Sequence, residues 1–152
     1  MTLGKATTPV VLKEDRVFII RDTISKKELL TKLVSSICKD LSEVDGEEML
    51  RSVLKREEGI STTLDTGLSL PHARIEDISA FEAALAVLPN GIIDEYGLPI
   101  KVMFLFVSPS GVSYFSQHLK LLAALAETFN ESFINELTAC QNAKEVLKKL
   151  NF

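Results

Sequence analysis

The sequence predicts an α/β layered domain, and three observations carry that prediction. Ile100-Lys-Val-Met-Phe-Leu-Phe-Val107 is apolar apart from Lys101, the signature of a strand covered on both faces. Ser25-Lys-Lys-Glu28 has the form of a capping box and stands ahead of Leu29, Leu30, Leu33, Val34 and Ile37, which share one helical face. Segments of strand and helix character then alternate along the chain, the order that gives packed layers of each. At 152 residues the chain has the length of one domain.

Taken from its start, the chain is small and polar from Met1 to Pro9, and a flexible tail is expected over residues 1–12, with the domain over 13–152. Val17-Phe-Ile-Ile20 reads as a short strand. The helix that Ser25 caps is expected to end near Leu41. Asp45 can cap a second helix, with Glu47 and Glu48 in its first turn and Met49, Leu50, Val53 and Leu54 buried. Gly59 is the residue type that most often follows such a helix. From Arg56 to Arg74 the chain has the composition of a working loop, with Gly59, Gly67, five hydroxyls and a closing Pro71-His72. Phe81–Leu88 follows as a strand, and Pro89-Asn-Gly91 as a turn. After the Ile100–Val107 strand, Ser108–Gly111 breaks the run. A helix over Ser113–Phe129 then carries Phe115, Leu119, Leu122, Ala126 and Phe129 on its expected apolar stripe. Helices over Ser132–Cys140 and Ala143–Leu150 complete the chain.

Composition narrows the function classes. The formal net charge is −4, and lysines and arginines are scattered singly or in pairs, which argues against nucleic acid. No apolar run approaches the length needed to span a bilayer, and none follows Met1. The expectation is a cytoplasmic protein without direct membrane insertion, its two cysteines, Cys38 and Cys140, kept as thiols. A metal site drawn from His72, His118, Cys38 and Cys140 lacks the close ligand spacing of structural zinc, so no metal and no cofactor are expected. A serine hydrolase is no better supported, because the chain has no Gly-x-Ser-x-Gly elbow.

The chemistry centres on the two histidines of the chain, His72 and His118. Pro71 fixes its own φ, so His72 hangs on a stiff backbone. Neutral imidazole is an in-line nucleophile for phosphoryl transfer, and Ser61, Thr62 and Ser69, with loop N–H groups, can hold phosphoryl oxygens. Thr66 offers a further hydroxyl. His118 shares a helix face with Leu121, Leu122, Leu125 and Phe129 and serves either as a core histidine or as a donor to the same group. Arg56 can clamp a phosphate or stand solvated at a helix end. By composition alone, an idle loop histidine is an equal reading for His72.

Arg56-Glu57, Ser61-Thr62, Gly67-Leu-Ser-Leu-Pro-His72, the Val102–Val107 strand and His118-Leu119 with Leu122 together resemble the EIIA domain of the fructose/mannitol type. That domain belongs to the bacterial phosphoenolpyruvate-dependent sugar phosphotransferase system, and the group includes its nitrogen-regulatory branch. The resemblance implies a mixed sheet with helices on both sides. It implies that His72 accepts a phosphoryl group from the histidine phosphocarrier protein and passes it to a cysteine of an EIIB domain. His118 is implied to hydrogen-bond that group, and Arg56 to assist its transfer. The nitrogen-regulatory alternative replaces the EIIB domain by a regulatory target protein bound according to phosphorylation. Where the family usually has glycines around Ser-Thr, this chain has Ile60 before it and Thr63, Leu64, Asp65 and Thr66 after it.

Overall fold

A strand that is apolar on both faces needs a neighbour on each edge and a helical layer above and below, and Pro99–Pro109 has all four. The computed structural model describes residues 10–59 and 61–150. In chain order the elements are β1 (Val10–Val11), β2 (Val17–Ile19), α1 (Lys26–Cys38), α2 (Gly46–Gly59), β3 (Leu68–Ser69), β4 (His72–Ile75), β5 (Phe81–Ile93), β6 (Pro99–Pro109), α3 (Phe115–Thr128), α4 (Glu131–Thr138) and α5 (Ala143–Lys149). β5 and β6 pair antiparallel at the centre; β1 and β2 run parallel to β5, and β3 and β4 parallel to β6. The sheet is therefore mixed and six-stranded.

Period-2 alternation divides the β6 side chains between two cores. Phe104 and Phe106 pack with Leu121, Leu125 and Phe129 of α3, Ile134 and Leu137 of α4 and Val146 of α5. Met103, Leu105 and Val107 pack on the opposite face with Leu29, Leu30, Leu33 and Ile37 of α1 and Met49 and Val53 of α2. Ala84 and Ala86 of β5 lie in this second core, beneath α1. These alanines are small residues on a strand covered by helices. The architecture is α/β with helices on both sides of the sheet.

Local signals act as expected at most helix starts. Ser25 Oγ accepts from Glu28 N while Glu28 Oε1 accepts from Ser25 N, closing the capping box. Asp45 Oδ1 accepts from the backbone of Glu47 and Glu48, and Asn130 and Asn142 cap α4 and α5. Arg16 is fully buried, donating to Glu82 Oε1 at 2.8 Å and Asp40 Oδ2 at 3.0 Å. It ties the turn before β2 to the start of β5 and the end of α1. Nothing in a lone arginine ahead of a strand announces such a partner.

Several expectations are corrected. The expected tail falls outside the described residues as far as Pro9, but Val10 and Val11 pair with Phe81 and Glu82, and Leu12 is buried. α1 stops at Cys38, three residues before Leu41, and a turn follows. The Arg56–Arg74 stretch is not one loop: its first residues end α2, and its last half supplies β3 and β4. Pro89-Asn-Gly91 lies inside β5 as an irregularity between Val87 and Ile92, with Gly91 at φ 67°. Asn90 Nδ2 holds the carbonyl of Arg21 there. The true hairpin turn is Asp94–Leu98, where Asp94 Oδ1 accepts from the backbone of Tyr96 and Leu98. On α3 the stripe is rotated: Phe115, Leu119 and Ala126 are exposed, and His118, Leu121, Ala124 and Leu125 are buried.

Candidate functional site

Leu70 and Pro71 lie between two short strands on the same edge of β6, and His72 opens the second of them. Phe106 N donates to the Pro71 carbonyl, and His72 pairs in register with Phe106 as β4 begins. The segment before them folds back on itself. Leu64 N donates to Leu68 O, Leu70 N donates to Thr62 O, and Gly67 makes the turn at φ 95°, a conformation that favours glycine. Gly67 O also accepts from Lys101 N and Val102 N, fastening this hairpin to β6. Asp65 is exposed at its tip, and Ile60 lies outside the described residues.

His72 is buried, with 8 % of its surface exposed. Its Nδ1 lies 2.7 Å from the carbonyl of Leu70. A carbonyl only accepts, so Nδ1 carries the proton and Nε2 keeps its lone pair. One face of the ring stacks on Phe106, centroids 5.5 Å apart and planes at 14°. His118, at 4 % exposure, meets His72 edge-on with centroids 5.2 Å apart. Ser108, where β6 ends, holds His118 through an Oγ–Nδ1 contact of 2.6 Å. β4 therefore delivers one imidazole, and the β6–α3 connection delivers the other.

Both rings are biased toward the neutral form. Burial pulls His72 below the ordinary histidine value, and the Arg56 charge adds to this, against the Leu70 carbonyl and Glu57. Burial also lowers His118, to about 4, with His72, Arg74 and Arg56 acting in the same direction. Each is thus an uncharged imidazole at pH 7.

The other expected residues divide. Arg56 is exposed near the end of α2, and its charge reaches both rings. Ser61 Oγ donates to Asp94 Oδ2 at 3.0 Å, and Thr62 Oγ1 donates to Glu57 Oε1 at 2.5 Å. Their hydroxyl protons are committed to carboxylates. Ser69 is buried in β3, its Oγ without a hydrogen-bond partner among the described residues. Alternation places its side chain on the opposite face from Leu68 and Leu70, away from the face on which His72 stacks. Among the described residues no group of three or more His, Cys, Asp or Glu could hold a metal ion. Cys38 and Cys140 are free thiols.

Four participants carry no role in the sequence reading. Leu70 fixes the His72 tautomer through a backbone group that any residue would supply. Ser108 was visible as a strand-ending serine, Phe106 as a strand aromatic and Glu57 as the neighbour of Arg56. Arg74 stands two residues after His72. Its Nη2 donates to the carbonyls of Ser110 (3.0 Å) and Gly111 (2.7 Å), and its guanidinium lies over the Phe115 ring at 5.2 Å. It links β4 to the start of α3.

Residues 10–152 match the family model described as "Phosphoenolpyruvate-dependent sugar phosphotransferase system, EIIA 2". A nitrogen regulatory protein of Pseudomonas aeruginosa is 24% identical over 130 residues, which cover 83% of this chain and 82% of that one. The nitrogen regulatory protein IIA-Ntr of Neisseria meningitidis has a similar structure, with a TM-score of 0.80 at 22% identity over 91% of this chain and 94% of its own. The complex of enzyme IIA-mannitol with phosphorylated enzyme IIB-mannitol from Escherichia coli contains a chain matching at TM-score 0.75 and 18% identity, over 94% and 99% of the two. The crystal structure of IIA-mannitol from the same organism matches at 0.75 and 20%, over 92% and 99%. Among the described residues no helix is long and apolar enough to cross a membrane.

Proposed function

The chain belongs to the EIIA 2 family of the phosphoenolpyruvate-dependent sugar phosphotransferase system, and we propose that within it His72 is the residue that carries the phosphoryl group. One observation supports this above the others: the 2.7 Å contact of Nδ1 with the Leu70 carbonyl. It leaves Nε2 as the free nucleophile. It also gives the Nδ1–H a fixed acceptor when the ring gains positive character on bonding to phosphorus.

In the acceptance step the Nε2 lone pair attacks phosphorus of a phosphohistidine on the donor protein. A new N–P bond forms at Nε2, and the donor's N–P bond breaks with its electron pair returning to the donor imidazole. With the Ser108 hydroxyl as donor to Nδ1 of His118 across their 2.6 Å contact, the His118 proton stands on Nε2, where it can donate to a phosphoryl oxygen. Arg56 adds positive charge toward the transferred group, and loop N–H groups receive the remaining oxygens. Delivery is the reverse displacement, with a cysteine thiolate of an EIIB domain as nucleophile. Val112 (91 % exposed), Phe115 (48 %) and Leu119 (50 %) form an apolar apron on the α3 side, suited to seating both partners in turn.

The similarity to nitrogen regulatory proteins supports a second reading, in which phosphorylated and unphosphorylated forms bind different target proteins. The added negative charge would sit between the two rings and beside the apron, on the docking face itself.

Incubation with phosphoenolpyruvate, enzyme I and the histidine phosphocarrier protein tests the carrier role. Wild-type protein should gain one equivalent of acid-labile, alkali-stable phosphate, and His72→Ala none. No label on wild type defeats the carrier reading, and label persisting on His72→Ala defeats the site. Transfer onward to an EIIB domain, set against retention and altered partner binding, separates the two readings.

A further inference from the structure

Glu57 is a buried carboxylate, 6 % exposed, in a position that the transfer chemistry above does not use. Burying a charge is costly unless it is paired and hydrogen-bonded. Both oxygens are occupied: Oε2 accepts from Lys26 Nζ at 2.9 Å, and Oε1 accepts from Thr62 Oγ1 at 2.5 Å. Lys26 is itself nearly covered and also reaches Glu95 at 3.2 Å. Burial pulls the Lys26 ammonium down, yet its two carboxylates outweigh that and raise its pKa above the ordinary lysine value.

This cluster is connected to the reactive ring without a break. Thr62, whose hydroxyl is held by Glu57, accepts Leu70 N–H through its own carbonyl at 3.1 Å. Leu70 in turn accepts the His72 Nδ1–H through its carbonyl at 2.7 Å. The N–H and the C=O belong to one residue, and the following Pro71 confines that residue to extended backbone. Fixing one group therefore aims the other.

We propose that Glu57, anchored by Lys26, is a positioning residue for phosphoryl transfer: through Thr62 and Leu70 it sets which nitrogen of His72 carries the proton. The proposal rests on the reading of His72 as the phosphoryl carrier. It assigns to the Thr62 hydroxyl a structural task instead of direct phosphate binding. Three charges surround the relay, namely Lys26 and Glu95 on its outer side and Arg56 beside Glu57 in the chain. Because Glu57 is negative and favours a protonated His72, its loss acts on the ring in the same direction as loss of the carbonyl contact.

Histidine-labelled protein followed by 15N NMR through a pH titration reads the tautomer and midpoint of His72 without any transfer. In Glu57→Gln and in Thr62→Val the Nδ1–H form should lose population and the midpoint should fall. Phosphoryl acceptance should slow by roughly tenfold, the scale of one hydrogen bond to a charged group. Thr62→Ser, which keeps the hydroxyl, should match wild type in all three readings. An unchanged His72 tautomer in both Glu57→Gln and Thr62→Val overturns the proposal, whatever the rates. If Glu57→Gln does not fold, an unchanged tautomer in Thr62→Val is enough to overturn it. Failure of wild-type protein to accept phosphate would sink the carrier reading while leaving the tautomer result intact.

Discussion

The His118 imidazole presents itself edge-on to His72, ring centroids 5.2 Å apart and planes at 65°, although one ring stands at the start of β4 and the other on α3. Two protonated rings at that distance would repel each other in a buried setting, so the pair is stable only while at least one is neutral. The structure assigns that state to His118, lowered to about 4 by burial first and then by the charges of His72, Arg74 and Arg56.

A pH-dependent stability follows. The folded-state pKa lies below the unfolded value near 6.5, so between pH 6.5 and about 4 the unfolded chain binds a proton that the folded chain refuses. Stability contributed by neutral His118 is complete above pH 6.5 and is lost as pH falls toward 4. Its ceiling is roughly 3 kcal/mol. Urea titrations from pH 7 to pH 4 should give a steeper decline for wild type than for His118→Gln. Parallel curves for the two would count against a protonation-resistant His118.

The three residues proposed for transfer should separate by kinetics. His72→Ala removes the nucleophile and should abolish acceptance. His118→Ala removes one donor to the phosphoryl group and should slow acceptance by about 10²-fold, the usual scale for one preorganised donor. Arg56→Lys keeps the charge but loses the planar fork, with a smaller loss expected. Single-turnover label transfer from the phosphorylated donor measures all three. Wild-type rates for His118→Ala or Arg56→Lys would return those residues to purely structural roles.

What the sequence disclosed depended on whether a signal was local. The Ser25 capping box, the Asp45 cap and the two-faced Ile100–Val107 strand act within a few residues or through a strict period, and each appears where expected. Pro89-Asn-Gly91 misled because turn residues also suit a strand irregularity, and only the pairing with β6 decides between them. The α3 stripe was misphased because Phe115 and Leu119 are apolar but face outward. In the site, the histidines were legible as rare residues in telling surroundings. The Leu70 carbonyl was invisible, since every residue has one, and Glu57 needed Lys26 and Thr62 to be placed before its role showed.

Arg74 should matter to the site without touching the reactive nitrogen. It bridges β4 to the Ser110–Gly111 carbonyls and covers Phe115, so it holds the connection that delivers His118. Arg74→Met should lower stability by about 1–2 kcal/mol, the worth of its hydrogen bonds and ring contact at a partly exposed position. Its positive charge also depresses His118, so the substitution should raise the His118 midpoint in an NMR titration. A midpoint that stays put or falls would contradict this placement.

Phe104 and Phe115 are both aromatic, and the fold gives them opposite duties. Phe104 is buried against Phe129 at a centroid distance of 5.8 Å, so Phe104→Ala should destabilise by about 3–5 kcal/mol through a cavity that the α3 and α4 side chains cannot fill. Phe115 is half exposed at the apron. Phe115→Ser should change unfolding free energy by only about 0.5–1 kcal/mol, since it loses little beyond the Arg74 contact. If the apron seats a partner protein, however, the same substitution raises the KM for the phosphorylated donor and leaves the maximal transfer rate close to wild type. Denaturation and donor-dependence curves on one preparation measure both effects. A Phe115→Ser protein with unaltered KM would move the docking face elsewhere, because a partner that reaches Nε2 over this apron must displace water from that ring.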